Sequence, residues 1–118
     1  MAASRTGEPP LSDAENFQFL AEVDAVKPGK LAWFEIDGHD ILLCHTKEGF
    51  YAIENRCSHG LAALSGGRLR GCRIICPLHG GSFDVRDGSA TGKPASRPIR
   101  SYPLRIADGR IEILLPAR

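Results

Sequence analysis

Three of the chain's four cysteines and two of its four histidines fall in one run, CSHGLAALSGGRLRGCRIICPLHGG, from Cys57 to Gly81. Cys57 precedes His59 with one residue between, Cys76 precedes His79 with two, and sixteen residues separate the pairs. Thiolate and imidazole are both metal ligands, and two of each make a familiar tetrahedral zinc set. Zinc-finger spacing, however, groups cysteine with cysteine and histidine with histidine, whereas each segment here offers one of each. Mixed pairs suit a two-iron cluster, in which each iron needs two protein ligands besides two bridging sulfides. If both segments reach across such a cluster, one iron takes Cys57 and Cys76 and the other takes His59 and His79.

The charge count says what that choice would do. Two ferric ions, two sulfides and two thiolates sum to zero with neutral imidazoles, and reduction takes the cluster only to −1. A cluster held by four cysteines goes from −2 to −3, so the added electron meets more repulsion. Histidine ligation therefore raises the reduction potential, into a range of roughly −150 to +300 mV. A structural zinc knot on the same four residues is the bland alternative. Colour separates the two, because a two-iron cluster is red-brown and a zinc site is colourless.

The elements that must position these residues read as strands. Leu31–Ile36 and Asp40–Thr46 flank Asp37-Gly38-His39, an Asp-Gly connection of the kind that turns a hairpin. Lys47-Glu48-Gly49 leads into a further strand at Phe50–Glu54, and GRLRG and CRIIC are short runs hinged at Gly71. GSFDV precedes an Arg-Asp-Gly turn at Arg86–Gly88, and IRSYPLRIA and RIEILL are joined by Asp108-Gly109. No helical stripe exceeds ten residues. With 13 Gly and 8 Pro between short strands, the fold expected is all-β, a sandwich or small barrel. SATGKPASRP is expected as a surface loop. The two cysteine–histidine pairs then fall at strand ends, each topping its own loop.

A chain of 118 residues is one domain with a modest core, and 42% hydrophobic and 25% charged content are ordinary for a soluble globular protein. Residues 1–15 are expected to form a flexible N-terminal tail and residues 16–118 the domain. No run approaches the roughly 20 apolar residues of a membrane helix, and the N-terminus lacks the pattern of a secretory signal. The expected location is the cytoplasm, where cysteine patterning more often means metal or redox chemistry than disulfides. Net charge is +1, but residues 1–54 carry ten acids and four bases, whereas residues 55–118 carry four acids and eleven bases. The bases are scattered and aromatics few, which argues against nucleic acid.

The motif C-x-H followed by C-x2-H, within CPLHGGSFD, resembles the Rieske 2Fe–2S proteins, and most of all the small Rieske ferredoxins that serve bacterial aromatic-ring-hydroxylating dioxygenases. The resemblance covers about residues 17–115. It implies three antiparallel sheets with a cluster-binding subdomain of two ligand loops. It also implies one 2Fe–2S cluster held by Cys57, His59, Cys76 and His79, and a third, proline-containing loop over the cluster, here Gly92-Lys93-Pro94-Ala95. The function it implies is one-electron transfer from an NAD(P)H-dependent flavoprotein ferredoxin reductase to a terminal oxygenase in aromatic hydrocarbon catabolism. Such a carrier has no catalytic residues of its own and acts as a monomer in transient complexes. An accessory Rieske subunit of a larger reductase, such as assimilatory nitrite reductase, is the alternative.

Departures from the family pattern carry information. High-potential respiratory relatives place a disulfide across the ligand loops, at positions that here are Ala62 and Leu78. They also carry a serine and a tyrosine whose hydroxyls donate to cluster sulfurs. Here those places hold Gly81 and Phe83, which predicts a potential low in the class range. Ser82 lies one place off. Of the remaining residues, Cys44 is expected to be a buried apolar filler and Cys72 a free thiol in a turn. His39 and His45 are expected at the surface, and one of Trp33 and Phe34 points inward. Arg56, Arg68, Arg70 and Arg73 flank the ligand loops, either as solvated surface or as a docking patch for an acidic partner.

Overall fold

The computed structural model of the protein describes residues 17–58, 62–78 and 80–116. The expected tail lies outside the described residues, and so do His59 and His79. Eleven strands run through the described chain: β1 (Phe17–Glu22), β2 (Leu31–Ile36), β3 (His39–Thr46), β4 (Gly49–Glu54), β5 (Arg68–Arg70), β6 (Arg73–Ile75), β7 (Ser82–Asp84), β8 (Ala90–Gly92), β9 (Ser101–Tyr102), β10 (Leu104–Ala107) and β11 (Arg110–Leu114). They form three antiparallel sheets, ordered β1-β11-β10, β2-β3-β4-β9 and β5-β6-β7-β8. The expected all-β, three-sheet architecture is what the chain adopts.

The β2-β3-β4-β9 sheet is the middle layer, and β3 shows why. Its run Ile41-Leu42-Leu43-Cys44 is buried on both faces, so it reads as continuously apolar rather than alternating. Ile41, Leu43 and Ala52 pack with Leu20, Ala21, Ile111 and Ile113 in one core. Leu42, Cys44 and Ile53 face the other way and pack with Ile74 and Phe83 in the second core. Successive side chains of a strand point to opposite faces, so a single strand feeds both cores. Truncating a fully buried Leu43 or Leu42 to alanine removes about 2–5 kcal/mol.

Two hairpins close as expected from sequence. Asp37-Gly38 and Asp108-Gly109 are two-residue turns with positive φ at both positions, the backbone that Asp-Gly adopts most readily. Elsewhere the structure departs from the sequence reading. IRSYPLRIA is not one strand: Pro103, which has no N–H for a ladder, separates β9 in the middle sheet from β10 in the β1 sheet. SATGKPASRP is not wholly loop, because Ala90–Gly92 pairs with β7. β1 carries no clean alternation, because its register shifts between Phe19 and Ala21 and leaves Leu20 and Ala21 both buried.

Candidate metal centre

The two cysteine–histidine segments leave the sheets at corresponding places. Cys57 follows β4 by three residues and Cys76 directly follows β6. Each cysteine amide donates to the carbonyl five residues on: Cys57 N–H to Ala62 O at 3.0 Å, and Cys76 N–H to Gly81 O at 2.6 Å. The Gly80 amide closes the second loop further by donating to Cys76 O at 3.2 Å, with Gly80 in the left-handed region. Two loops built to one pattern thus carry the two pairs.

Both cysteines are 3% exposed or less and belong to the same core as Leu42, Ile74 and Phe83. None of the four cysteines is in a disulfide. The root of the first loop is fixed by Asn55, a buried amide whose Oδ1 accepts from the Ser65 amide at 2.7 Å and whose Nδ2 donates to Ser65 Oγ at 3.3 Å. Its own amide donates to Asp40 O at 3.0 Å. The first loop is therefore held to β3 on one side and to the short 3-10 turn at Leu64–Gly66 on the other.

A third segment, between Gly92 and Arg100, lies against both loops. A Cβ on Gly81 would stand 3.0 Å from the Ala95 nitrogen and 3.4 Å from Pro94 Cδ, so glycine there permits the close approach. Ser58 Oγ donates to Arg97 O at 2.5 Å, and Arg97 Nη2 donates back to Ser58 O at 3.3 Å. The expected covering loop is in place, and nothing local in the sequence pairs Ser58 with a residue 39 positions away.

The remaining residues sort as follows. Cys44 is fully buried mid-strand and burial pushes its thiol up to about 12, as an apolar filler should be. Cys72 is half-buried in the β5–β6 turn. Trp33 is exposed while Phe34 packs against the β1-side core. Arg56, Arg68, Arg70 and Arg73 are all exposed, and Leu78, next to His79 in the chain, is 58% exposed. Ser82 does not turn to solvent: its hydroxyl pairs with Thr91 Oγ1 at 2.8 Å across β7 and β8.

Two expectations need correction. His45 is half-buried, its Nδ1 2.7 Å from Val26 O and its ring stacked on Phe50 at 3.9 Å. His39 is the first residue of β3 and meets Tyr102 edge-on at 6.1 Å between centroids. His45 lies directly opposite Phe50 in the β3–β4 pair and reaches Val26 in the connection between β1 and β2, while the partner of His39, Tyr102, sits on β9 of the same sheet.

The donor set fits a mixed-ligand two-iron cluster. Two buried, non-disulfide cysteines sit at matching positions of two loops, and each loop carries a histidine shortly after its cysteine. A cluster bound there supplies one-electron redox chemistry.

Comparison with known proteins agrees. Residues 16–103 match the family model of the Rieske [2Fe-2S] domain. The ferredoxin component of the naphthalene 1,2-dioxygenase/salicylate 5-hydroxylase systems of a Ralstonia species is 36% identical over 97 residues, covering 82% of this chain and 93% of that one. The ferredoxin component of the naphthalene 1,2-dioxygenase system of Pseudomonas putida is 38% identical over 85 residues, covering 72% and 82%. Among solved structures, the ferredoxin of carbazole 1,9a-dioxygenase from Nocardioides aromaticivorans IC177 superposes with a TM-score of 0.81 at 35% identity, over 84% of this chain and 97% of that one. A protein titled a putative nitrite reductase NADPH (small subunit), at 20% identity and TM-score 0.72 over 84% of this chain and 98% of that one, shares the fold. With buried cysteines on paired loops, a three-sheet fold and a family match over most of its length, this chain belongs to the Rieske [2Fe-2S] domain family and carries a Rieske-type cluster.

Proposed function

We propose that this chain is a one-electron carrier that takes electrons from an NAD(P)H-dependent flavoprotein reductase. It delivers them to the terminal oxygenase of an aromatic-ring dioxygenase system. In this reading residues 16–118 form the Rieske domain, working in the cytoplasm. Cys57 and Cys76 bind one iron of the cluster, and His59 and His79 bind the other. The observation that carries it is similarity over nearly their whole length to proteins named as ferredoxin components of such systems. A solved complex in the carbazole system joins a ferredoxin, 28% identical to this chain with TM-score 0.80 over 84% of it and 93% of that ferredoxin, to its oxygenase.

The residues outside the proposed cluster site favour a carrier over an oxygenase. A mononuclear oxygenase iron takes two histidines and a carboxylate. The other histidines, His39 and His45, stand near opposite ends of β3, about 20 Å apart at the rise of a strand. They cannot share a metal.

The function is tested by reconstitution. The protein is incubated with NADH and a dioxygenase-system reductase, and bleaching of the cluster spectrum is followed. A terminal oxygenase and an aromatic substrate are then added. Reduction by the reductase, followed by reoxidation and product formation that depend on the oxygenase, is the expected outcome. Product formed by this chain without the oxygenase, or no reduction by any reductase of that class, contradicts the proposal.

A further inference from the structure

The segment from Lys93 to Arg100 has no strand of its own, yet it stays against the ligand loops. Its ends are secured by backbone bonds: Ala95 N–H to Gly92 O at 3.1 Å, Ile99 N–H to Gly88 O at 2.9 Å, and Glu54 N–H to Arg100 O at 2.8 Å. Ala95 and Ile99 are also buried in the core that holds Cys57 and Cys76. Between them, Ser96, Arg97 and Pro98 are all exposed. Burial therefore does not hold this crest down.

Two hydrogen bonds do, and they are reciprocal. The Ser58 side chain holds the Arg97 main chain, donating its hydroxyl to Arg97 O at 2.5 Å. The Arg97 side chain holds the Ser58 main chain, donating from Nη2 to Ser58 O at 3.3 Å. Each residue thus fixes the other's backbone. Ser58 is the residue between Cys57 and His59, so the fixed peptide lies between two proposed ligands. On the far side of the covering segment, Ala95 touches Gly81 of the second loop.

We propose that Ser58 and Arg97 are positioning residues, a latch that fastens the covering segment onto the first ligand loop and keeps the cluster closed to solvent. The inference rests on the proposed ligand set. A single hydrogen bond contributes modestly to stability, which corresponds to about a two- to tenfold shift in the closed–open equilibrium. Local opening of this size leaves the global fold intact.

The test uses the full-length holoprotein with Ser58→Ala, Arg97→Ala, the double variant and Ser58→Thr. Amide hydrogen exchange is read at Ala95 and Ile99, and loss of iron to a chelator is timed. Ser58→Ala is expected to speed exchange at Ala95 and Ile99 and iron loss about two- to tenfold, leaving exchange in β3 unchanged. Ser58→Thr, which keeps the hydroxyl, is expected to behave as wild type. The double variant is expected to cost less than the sum of its parts, because the two bonds support one contact. Wild-type exchange and iron retention in Ser58→Ala overturn the latch. Failure of the ligand reading looks different: the wild-type protein then lacks iron and labile sulfide, while exchange at Ala95 and Ile99 still reports on the latch.

Discussion

Gly81 faces Ala95 so closely that a Cβ on the glycine would stand 3.1 Å from the alanine Cβ and 3.0 Å from its nitrogen. The second ligand loop and the covering segment are therefore fitted to each other at this point. Gly81→Ala is expected to cost about 1–3 kcal/mol by overpacking. Urea unfolding measures it, and an unchanged midpoint would mean that the segment moves aside freely.

The same contact makes Phe83 the better place to test the potential. High-potential relatives carry a serine and a tyrosine where this chain has Gly81 and Phe83, and a serine at 81 would displace the covering segment. Phe83 is fully buried in the core that holds both cysteines. Phe83→Tyr is expected to raise the midpoint potential, since a hydroxyl donated to a cluster sulfur stabilises the more negative reduced form. Voltammetry reads the sign. An unchanged potential, with the hydroxyl seen bonded to sulfur in a crystal structure, contradicts the hydrogen-bond account.

Cys44 gives the protein an alkaline weakness. Burial keeps its thiol protonated up to about 12, whereas in the unfolded chain it ionises around its ordinary value of 9.0. Above pH 9 the unfolded state therefore binds fewer protons than the folded state, and stability falls as pH rises towards 12. Cys44→Ala should flatten this alkaline limb, leaving the part due to Tyr102, whose hydroxyl burial also pushes up, while lowering stability near neutrality through the cavity it leaves. Unfolding midpoints from pH 7 to 11 distinguish the outcomes, and an alkaline limb of unchanged slope in the variant would refute the assignment to Cys44.

Arg56, Arg68 and Arg70 are exposed and flank the ligand loops in the sequence. If they steer an acidic partner face, charge reversal slows electron transfer to the oxygenase at low salt with little change in potential. Screening over roughly 8 Å at physiological ionic strength weakens the effect, and high salt should erase it. Stopped-flow transfer rates at two ionic strengths decide it. A wild-type rate at low salt leaves these arginines as solvated surface, with docking resting on apolar contact around exposed Leu78.

Much of this was legible before the fold was known, because the strongest signals are local. Asp37-Gly38 and Asp108-Gly109 announce their hairpins through backbone preference alone, and the spacing of Cys57, His59, Cys76 and His79 announces the cofactor. What escaped depends on tertiary pairing. The bulge in β1 blurs its alternation, and Pro103 passes the chain from one sheet to another inside a single apolar run. His45 finds Val26, and Ser58 finds Arg97, across separations that no short pattern encodes. The covering segment was legible as proline-containing chain, but its fastening was not.

The mixed ligation we propose puts one iron on Cys57 and Cys76 and the other on His59 and His79. Pulsed paramagnetic resonance on the reduced protein carrying 15N-labelled histidine tests it, with iron and acid-labile sulfide assayed on the same sample. About two irons and two sulfides per chain and two distinct histidine nitrogen couplings are expected. His59→Ala and His79→Ala should each abolish the Rieske spectrum, while Cys44→Ser and Cys72→Ser leave it intact. Stoichiometric zinc without iron from an anaerobic preparation, or a reduced cluster with no histidine nitrogen coupling, would contradict it.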